Sequence, residues 1–200
     1  AFAIPATTMN LVEGAPDAPT SVGVHAIALL QDEQIEVEYE ARLLEDFRFF
    51  CHAEFRVKNN NPGHPTARLE EWVPFVWNSQ QERLASLVMA DWAADRPLLY
   101  IILKARQWGC TTLIQAFNNW VMISKAGANI QILAQDKDAT ETIFEMYEDS
   151  YDDLFERNSD WVPPRLSSNK KTGFQLACKS RLRIQTAGTE ATAKKVGRSK

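Results

Sequence analysis

The stretch 104–112, with the sequence KARQWGCTT, contains the residue types of a phosphate-binding loop, but its lysine is displaced. An ordinary loop of this kind reads G-x-x-x-x-G-K-[ST]. Here Gly109 holds the second glycine position and Thr111 the hydroxyl position. Cys110 stands where the lysine belongs, and Lys104 stands where the first glycine belongs. The spacing therefore indicates a phosphate site whose cation lies at the start of the loop.

The chemistry of such a loop follows from its place between a strand and a helix. Backbone N–H groups at a helix N-terminus point at one place, and the helix dipole adds partial positive charge there. Gly109 lets the backbone approach a polyphosphate, and the Thr111 hydroxyl can be offered to Mg²⁺. A neutral Cys110 thiol supplies no charge, so the cation is Lys104, Arg106 or both. On spacing alone, a strand-to-helix turn with incidental basic residues is an equally good interpretation.

Hydrophobic periodicity predicts the elements that position this loop. A capping box at Ser79 and Glu82 starts one helix, and an apolar run directly before the loop reads as a strand buried in a parallel sheet. Strand, loop, helix, strand and helix in this order predict a right-handed parallel α/β sheet, with ligands at the carboxyl ends of the strands. We expect helices at 32–52, 79–95, 111–125 and 136–155, strands at 98–103 and 130–134, and a hairpin of 174–178 with 181–186.

Composition and charge narrow the class of protein. The chain has 200 residues and a formal net charge of −4, but no Lys or Arg precedes Arg42. Residues 165–200 contain ten Lys and Arg against one acid, so this tract could contact DNA phosphates, although a solvated basic face is the commoner explanation. Three scattered cysteines indicate neither a disulfide framework nor a zinc site. The longest apolar run is too short to span a bilayer, and we expect a soluble, cytoplasmic protein.

Several motifs in order resemble the ATPase domain of the large terminase subunit, the DNA-packaging motor of tailed bacteriophages. The resemblance covers about residues 45–200. Its motifs are PFVWNSQQ at 74–81, Q-x-G-x-T-T at 107–112 after the apolar run, IQILAQD at 130–136, TAG at 186–188 and GRS at 197–199. Some members of this family carry the loop lysine at the start of the loop, as this chain does.

The resemblance implies a role for each matching residue. Gln81 matches the glutamine that contacts adenine, and Lys104 matches the displaced Walker A lysine. Arg106 matches an arginine that touches phosphate within its own subunit or across a ring interface. Thr111 matches the magnesium-binding hydroxyl, with Thr112 beside it. The implied nucleotide-binding set is Gln81, Lys104, Ala105, Arg106, Gln107, Trp108, Gly109, Cys110, Thr111 and Thr112, with Thr111 also the ligand of Mg²⁺.

The resemblance also implies a fold, cofactors and partners. The expected fold class is α/β: a P-loop NTPase-type parallel sheet flanked by helices, incomplete, with an N-terminal helical arm. We expect a flexible acidic arm at 1–31, a helical or lid region at 32–75 and an ATPase core at 76–200. ATP and Mg²⁺ are the implied cofactors. The implied partners are double-stranded DNA, the small terminase subunit and the portal, with the complete protein forming a homo-oligomeric ring in the host cytoplasm and not binding membranes.

One part of the family pattern is missing. An ATPase of this class needs an acidic Walker B residue at the end of another apolar strand and a glutamate that orients water. In the family that strand begins shortly after the GRS motif, where this sequence ends. We therefore expect the N-terminal part of a longer motor, truncated before Walker B, with its catalytic residues unknown and no hydrolysis by itself. Two alternatives remain: a helicase-like P-loop ATPase, or an inactive interaction module whose acidic arm and first helix bind a partner.

Overall fold

The computed structural model describes residues 34–59, 68–69, 71–104, 108–169 and 172–187. The chain divides into two compact units, Ala1–Glu38 and Tyr39–Lys200. Residues 34–38 of the first unit are helical; in the second unit, helix α1 comprises residues 39–45. The predicted flexible arm at 1–31 lies outside the described residues.

The second unit contains both helices and strands. After α1, its helices are α2 (Phe47–Ala53), α3 (Ser79–Ala93), α4 (Cys110–Ser124) and α5 (Lys137–Arg157). Its strands are β1 (Arg56–Lys58), β2 (Trp72–Pro74), β3 (Asn129–Ala134), β4 (Arg165–Asn169), β5 (Gly173–Leu176) and β6 (Arg181–Thr186). The predictions for α3, α4, α5, β3 and the β5–β6 hairpin are confirmed within a few residues at each end.

The strands form a small ribbon and a mixed four-stranded sheet. β1 pairs with β2 in antiparallel orientation, and the larger sheet has the order β3-β6-β5-β4. Among the described strands, β3 and β6 are the parallel pair, with Ile130 opposite Leu182 and Ile132 opposite Ile184. β4, β5 and β6 follow one another as antiparallel neighbours. The predicted α/β class and the flanking helices are confirmed. The sheet is mixed and not the predicted parallel sheet, because β4, β5 and β6 are antiparallel to one another.

The predicted strand at Leu98–Leu103 is also wrong. The structure shows these residues as irregular backbone, and no backbone hydrogen bond joins them to other described residues. Leu99 is 89% exposed, and Ile101 and Leu103 are each 95% exposed. Leu98 and Ile102 are half-buried and line a cavity of about 260 Å³ against α3 and α4. An apolar run indicates burial but does not identify the strand that must pair with it.

Aromatic side chains from α2 and α4 form the centre of the core. Phe47 lies 5.2 Å from Phe117 and 5.6 Å from Trp120, measured between ring centroids. The Trp120 indole donates a hydrogen bond to the Leu43 carbonyl at 3.0 Å. The predicted single helix 32–52 breaks at Asp46, whose carboxylate accepts from the Phe49 N–H and caps α2. The predicted boundary between residues 75 and 76 stays a prediction.

Candidate functional site

The candidate site is built around a glycine at the start of α4. Gly109 is the N-cap residue and has the left-handed backbone angles φ 78° and ψ 20°. Among the residues that the structure describes, no side chain caps this helix, and its first turn contains no acidic residue. A Cβ atom added to Gly109 would lie 2.5 Å from the Gln81 amide nitrogen. Both the backbone conformation and the lack of space therefore require glycine here.

The start of α3 lies against this glycine. The predicted capping box at Ser79 and Glu82 is one residue too late, since Asn78 is the N-cap and Gln81 the third helical residue. The Asn78 side-chain oxygen accepts from the N–H groups of Gln80 and Gln81, at 3.1 and 3.0 Å. Asparagine caps helices as well as serine does, and glutamine is allowed at the third position. This register leaves the Asn78 amide group free to reach the loop.

Two amide side chains from α3 hold two consecutive carbonyls of the loop. The Asn78 Nδ2 group donates to the Trp108 carbonyl at 3.0 Å. The Gln81 Nε2 group donates to the Gly109 carbonyl at 2.9 Å, while Gln81 Oε1 accepts from the Asn78 N–H at 2.9 Å. Asn78 was missed as a site residue. Its signal was an asparagine three residues before a glutamine, directly ahead of an amphipathic helix.

Lys104 acts on the first turn of α4 through its charge. Burial raises the pKa of the Cys110 thiol above its usual value, and the ammonium group of the exposed Lys104 offsets part of this rise. The thiol is therefore neutral at physiological pH and does not repel an anion, as expected for a position that replaces the loop lysine.

Thr111 and Thr112 complete the first turn. Thr111 is exposed and Thr112 half-buried, whereas Leu113, Ala116 and Trp120 are buried in the core. The core contacts fix the axis of a 15-residue helix, whose dipole places partial positive charge at Gly109. The arrangement can bind an anion through backbone N–H groups, a hydroxyl and a nearby ammonium group.

The predicted nucleotide-binding set is only partly described. Gln81, Trp108, Gly109 and Cys110 lie together at the junction of α3 and α4, and Lys104 acts on Cys110 electrostatically. Ala105, Arg106 and Gln107 lie outside the described residues, as do Gly188 and the GRS motif. The roles of all ten residues in nucleotide binding stay predictions.

The acid nearest the carboxyl end of β3 has a structural partner. Asp136 caps α5 by accepting from the Ala139 N–H at 2.8 Å. At the end of the neighbouring β6, the Thr186 hydroxyl lies 2.8 Å from the Thr140 hydroxyl. In the parts of the chain that the structure describes, no three His, Cys, Asp or Glu residues cluster as a metal site would require. The described helices also include none long and apolar enough to cross a membrane.

Part of the predicted basic tract is neutralised within the fold. Arg165 forms ion pairs with Glu148 at 2.9 Å and Asp152 at 2.7 Å, both on α5. Arg181 and Arg183 are exposed on β6, where they alternate with buried apolar residues. The two β6 arginines are therefore better placed than Arg165 to meet a polyanion.

No protein-family model matches this chain, and no curated protein is significantly similar to it. The chemistry of the site must therefore be inferred from its own residues and from the motifs in the sequence.

Proposed function

We propose that this chain is the nucleotide-binding part of a DNA-packaging ATPase of the large-terminase type. In such a motor, ATP hydrolysis powers the movement of double-stranded DNA into a prohead. The observation that carries the proposal is the N-terminus of α4: a left-handed Gly109 cap, no acid in the first turn and the Lys104 charge acting on Cys110. The choice of ATP among polyphosphate ligands rests on the order of the sequence motifs, which resembles that of the large terminase subunit.

Each group of the loop would contact a different part of a bound triphosphate. The N–H groups of the first turn and the helix dipole attract phosphate oxygens. Lys104 neutralises part of the phosphate charge, and the neutral Cys110 leaves the helix N-terminus accessible to an anion. Thr111 is an exposed residue of the same turn and carries a hydroxyl group.

Magnesium fits this donor set. Mg²⁺ usually takes one or two protein ligands together with phosphate oxygens and water, so a single Thr111 hydroxyl is sufficient. When bound, the ion neutralises charge on the β- and γ-phosphates. Asp136 is occupied as the cap of α5, so we expect these residues to bind the nucleotide without rapid turnover.

DNA contact in this proposal is electrostatic. The exposed side chains of Arg181 and Arg183 lie on one face of β6 and can neutralise backbone phosphates without reading sequence. Such contacts would give a salt-sensitive affinity for double-stranded DNA. Assembly into a ring and docking on a small subunit and portal belong to the complete motor.

Calorimetric titration with Mg²⁺ and a non-hydrolysable ATP analogue tests the nucleotide site. Replacing Lys104 by Ala should raise the Kd at least tenfold, or about 1.4 kcal/mol, because the loop loses its cation. The matched control is Lys125→Ala, at the opposite end of α4, which should leave the Kd unchanged. Equal losses in the two variants would mean that only the overall charge matters, and would contradict the assignment of Lys104.

The magnesium ligand has its own test. Thr111→Val keeps the shape of the side chain but removes the hydroxyl, so the gain in affinity on adding Mg²⁺ should shrink. Thr142→Val, an exposed position on α5, is the control and should keep the full magnesium effect. If the folded wild-type chain shows no magnesium-dependent binding, the ATPase proposal fails and the inactive interaction module is favoured.

A further inference from the structure

The start of α3 is joined to the loop by side-chain hydrogen bonds. Consecutive carbonyls, those of Trp108 and Gly109, each accept a hydrogen bond from an amide side chain at the start of α3. The Gly109 carbonyl also accepts the first helical bond of α4, from the Leu113 N–H at 3.1 Å. A single added Cβ at Gly109 would collide with Gln81. The hydrogen bonds and the close approach of Gln81 to Gly109 therefore couple the loop to the start of α3.

Fixing these carbonyls also fixes the neighbouring N–H groups. In a trans peptide the C=O and N–H bonds of one plane point in opposite directions. The Trp108 carbonyl is in the same plane as the Gly109 N–H, and the Gly109 carbonyl in the same plane as the Cys110 N–H. With both carbonyls directed at α3, both N–H groups are directed away from it. Asn78 and Gln81 thus set the direction of the donors that begin the anion site.

The amide group of Gln81 is occupied in this arrangement. Its oxygen accepts from the Asn78 N–H and its nitrogen donates to the Gly109 carbonyl, both at 2.9 Å. The residue is only 4% exposed. Pairing with the edge of a base would require Gln81 to break bonds that hold the loop and to leave a buried position. Breaking them without replacement would leave buried polar groups unpaired, which is costly.

We propose that Asn78 and Gln81 are positioning residues that orient the loop from behind, and that Gln81 does not contact the base. The inference rests on the proposed nucleotide function and deepens it, because it makes the phosphates the part of the ligand on which these two residues act. Their contribution to affinity is then the same for any nucleoside triphosphate and for inorganic triphosphate.

Substitution of two adjacent glutamines tests this. Gln81→Met keeps the length of the side chain but removes both of its hydrogen bonds. Gln80→Met is the matched control, because Gln80 is exposed and its side-chain oxygen accepts from the Ser79 hydroxyl, at 3.4 Å, and not from the loop residues that the structure describes. Each variant and the wild type are titrated calorimetrically with Mg²⁺ and three ligands: an ATP analogue, the corresponding GTP analogue and inorganic tripolyphosphate.

The expected result is a parallel loss. Gln81→Met should raise the Kd of all three ligands by the same factor, about tenfold, because small displacements of a binding group are expensive. Gln80→Met should leave all three unchanged. A loss confined to the ATP analogue would overturn the inference and show that Gln81 contacts adenine. Unchanged affinities in Gln81→Met would overturn it as well, whereas a wild type that binds none of the ligands would refute the proposed function itself.

A second variant guards against misfolding of Gln81→Met. Asn78→Ser retains a good helix cap for α3 but loses the donor to the Trp108 carbonyl, so it should weaken the binding of the three ligands in parallel by a smaller factor.

Amide hydrogen exchange distinguishes local positioning from general destabilisation. In Gln81→Met, exchange should accelerate at the Leu113 amide, which donates to the released Gly109 carbonyl, and not at the Thr140 amide in the first turn of α5. Equal acceleration at both amides would mean a merely structural role and would overturn the inference.

Discussion

Two junctions in this molecule lead into the long helices α4 and α5, and they differ in how they treat the helix N-terminus. At the β3–α5 junction, Asp136 caps the helix with its own carboxylate, and Asp138 adds a second acid to the first turn. At the α4 junction, Gly109 caps without a side chain, the first turn has no acid, and Lys104 lies within electrostatic range. The dipole of α5 is neutralised by the protein's own acids, whereas the N-terminus of α4 remains available to an external anion.

The segments ahead of the two helices differ as well. β3 pairs with β6 along its whole length, and Ile130 and Ile132 pack against the core. Residues 98–104 are held instead by side chains: the Tyr100 hydroxyl bonds the Asp91 carboxylate and the Leu87 carbonyl of α3. The junction that resembles a ligand site is thus the one less supported by the sheet. Helix α3 therefore supports the segment before α4 in the way that the sheet supports β3. It does so by accepting hydrogen bonds from Tyr100 and by donating from Asn78 and Gln81 to the loop.

The largest expected effect comes from Gly109. Gly109→Ala should lower the free energy of unfolding by about 3 kcal/mol, about 1 from the left-handed backbone and about 2 from displacing the buried Gln81 amide. Chemical denaturation measures this difference. Gly127, just after α4, has nearly the same φ of 75° but open space around an added Cβ, so Gly127→Ala should cost about 1 kcal/mol.

This pair separates backbone strain from the loop contact. Nucleotide affinity should fall in Gly109→Ala and stay unchanged in Gly127→Ala, because only the first substitution displaces a residue of the proposed site. Similar stability losses in both variants would mean that the α3 contact does not constrain the loop, and would remove the main contrast between the two junctions.

A smaller effect compares the segments that precede the helices. Ile132→Ala on β3 should destabilise the protein by about 2 kcal/mol because it removes apolar contacts with the core. Ile101→Ala should change stability by less than about 0.5 kcal/mol, since that side chain is 95% exposed. Thermal or denaturant unfolding checks both. A large loss of stability for Ile101→Ala would show that residues 98–103 are covered in solution by chain or partner atoms. The difference in packing between this segment and β3 would then disappear.

The sequence predicted the elements whose signals are local. α3, α4 and α5 follow from apolar periodicity with caps or stop residues at their ends, and the β5–β6 hairpin follows from two alternating runs joined by a short turn. The break at Asp46 was missed because the apolar period continues through it, although aspartate is a good cap. β1, β2 and β4 were missed since they are short and their apolar pattern is weak.

Pairing and long-range contact were not predictable in this way. The run at 98–103 is apolar enough for a buried strand, yet the identity of its neighbours depends on residues far away in the chain. Likewise, nothing local to Asn78 indicates that its amide reaches Trp108, 30 positions later. The sequence predicted a displaced loop lysine at Lys104, which stays a prediction. The hydrogen bonds from Asn78 and Gln81 to the loop were found only in the structure, where the starts of α3 and α4 lie together.

The smallest predicted effect concerns the charge that distinguishes the α4 junction. Because the Lys104 ammonium group lowers the pKa of Cys110 against the larger effect of burial, Lys104→Gln should raise the pKa of that thiol further. At a fixed mildly alkaline pH the thiolate fraction then falls, and alkylation of Cys110 by iodoacetamide, followed by peptide mapping, should slow. High salt should slow the wild type toward the variant because it screens the same charge. Lys125→Gln, at the far end of α4, should leave the alkylation rate unchanged. If Lys104→Gln also leaves it unchanged, Lys104 does not act on the first turn of α4. The N-termini of α4 and α5 would then differ in their caps and acids but not through a nearby cation.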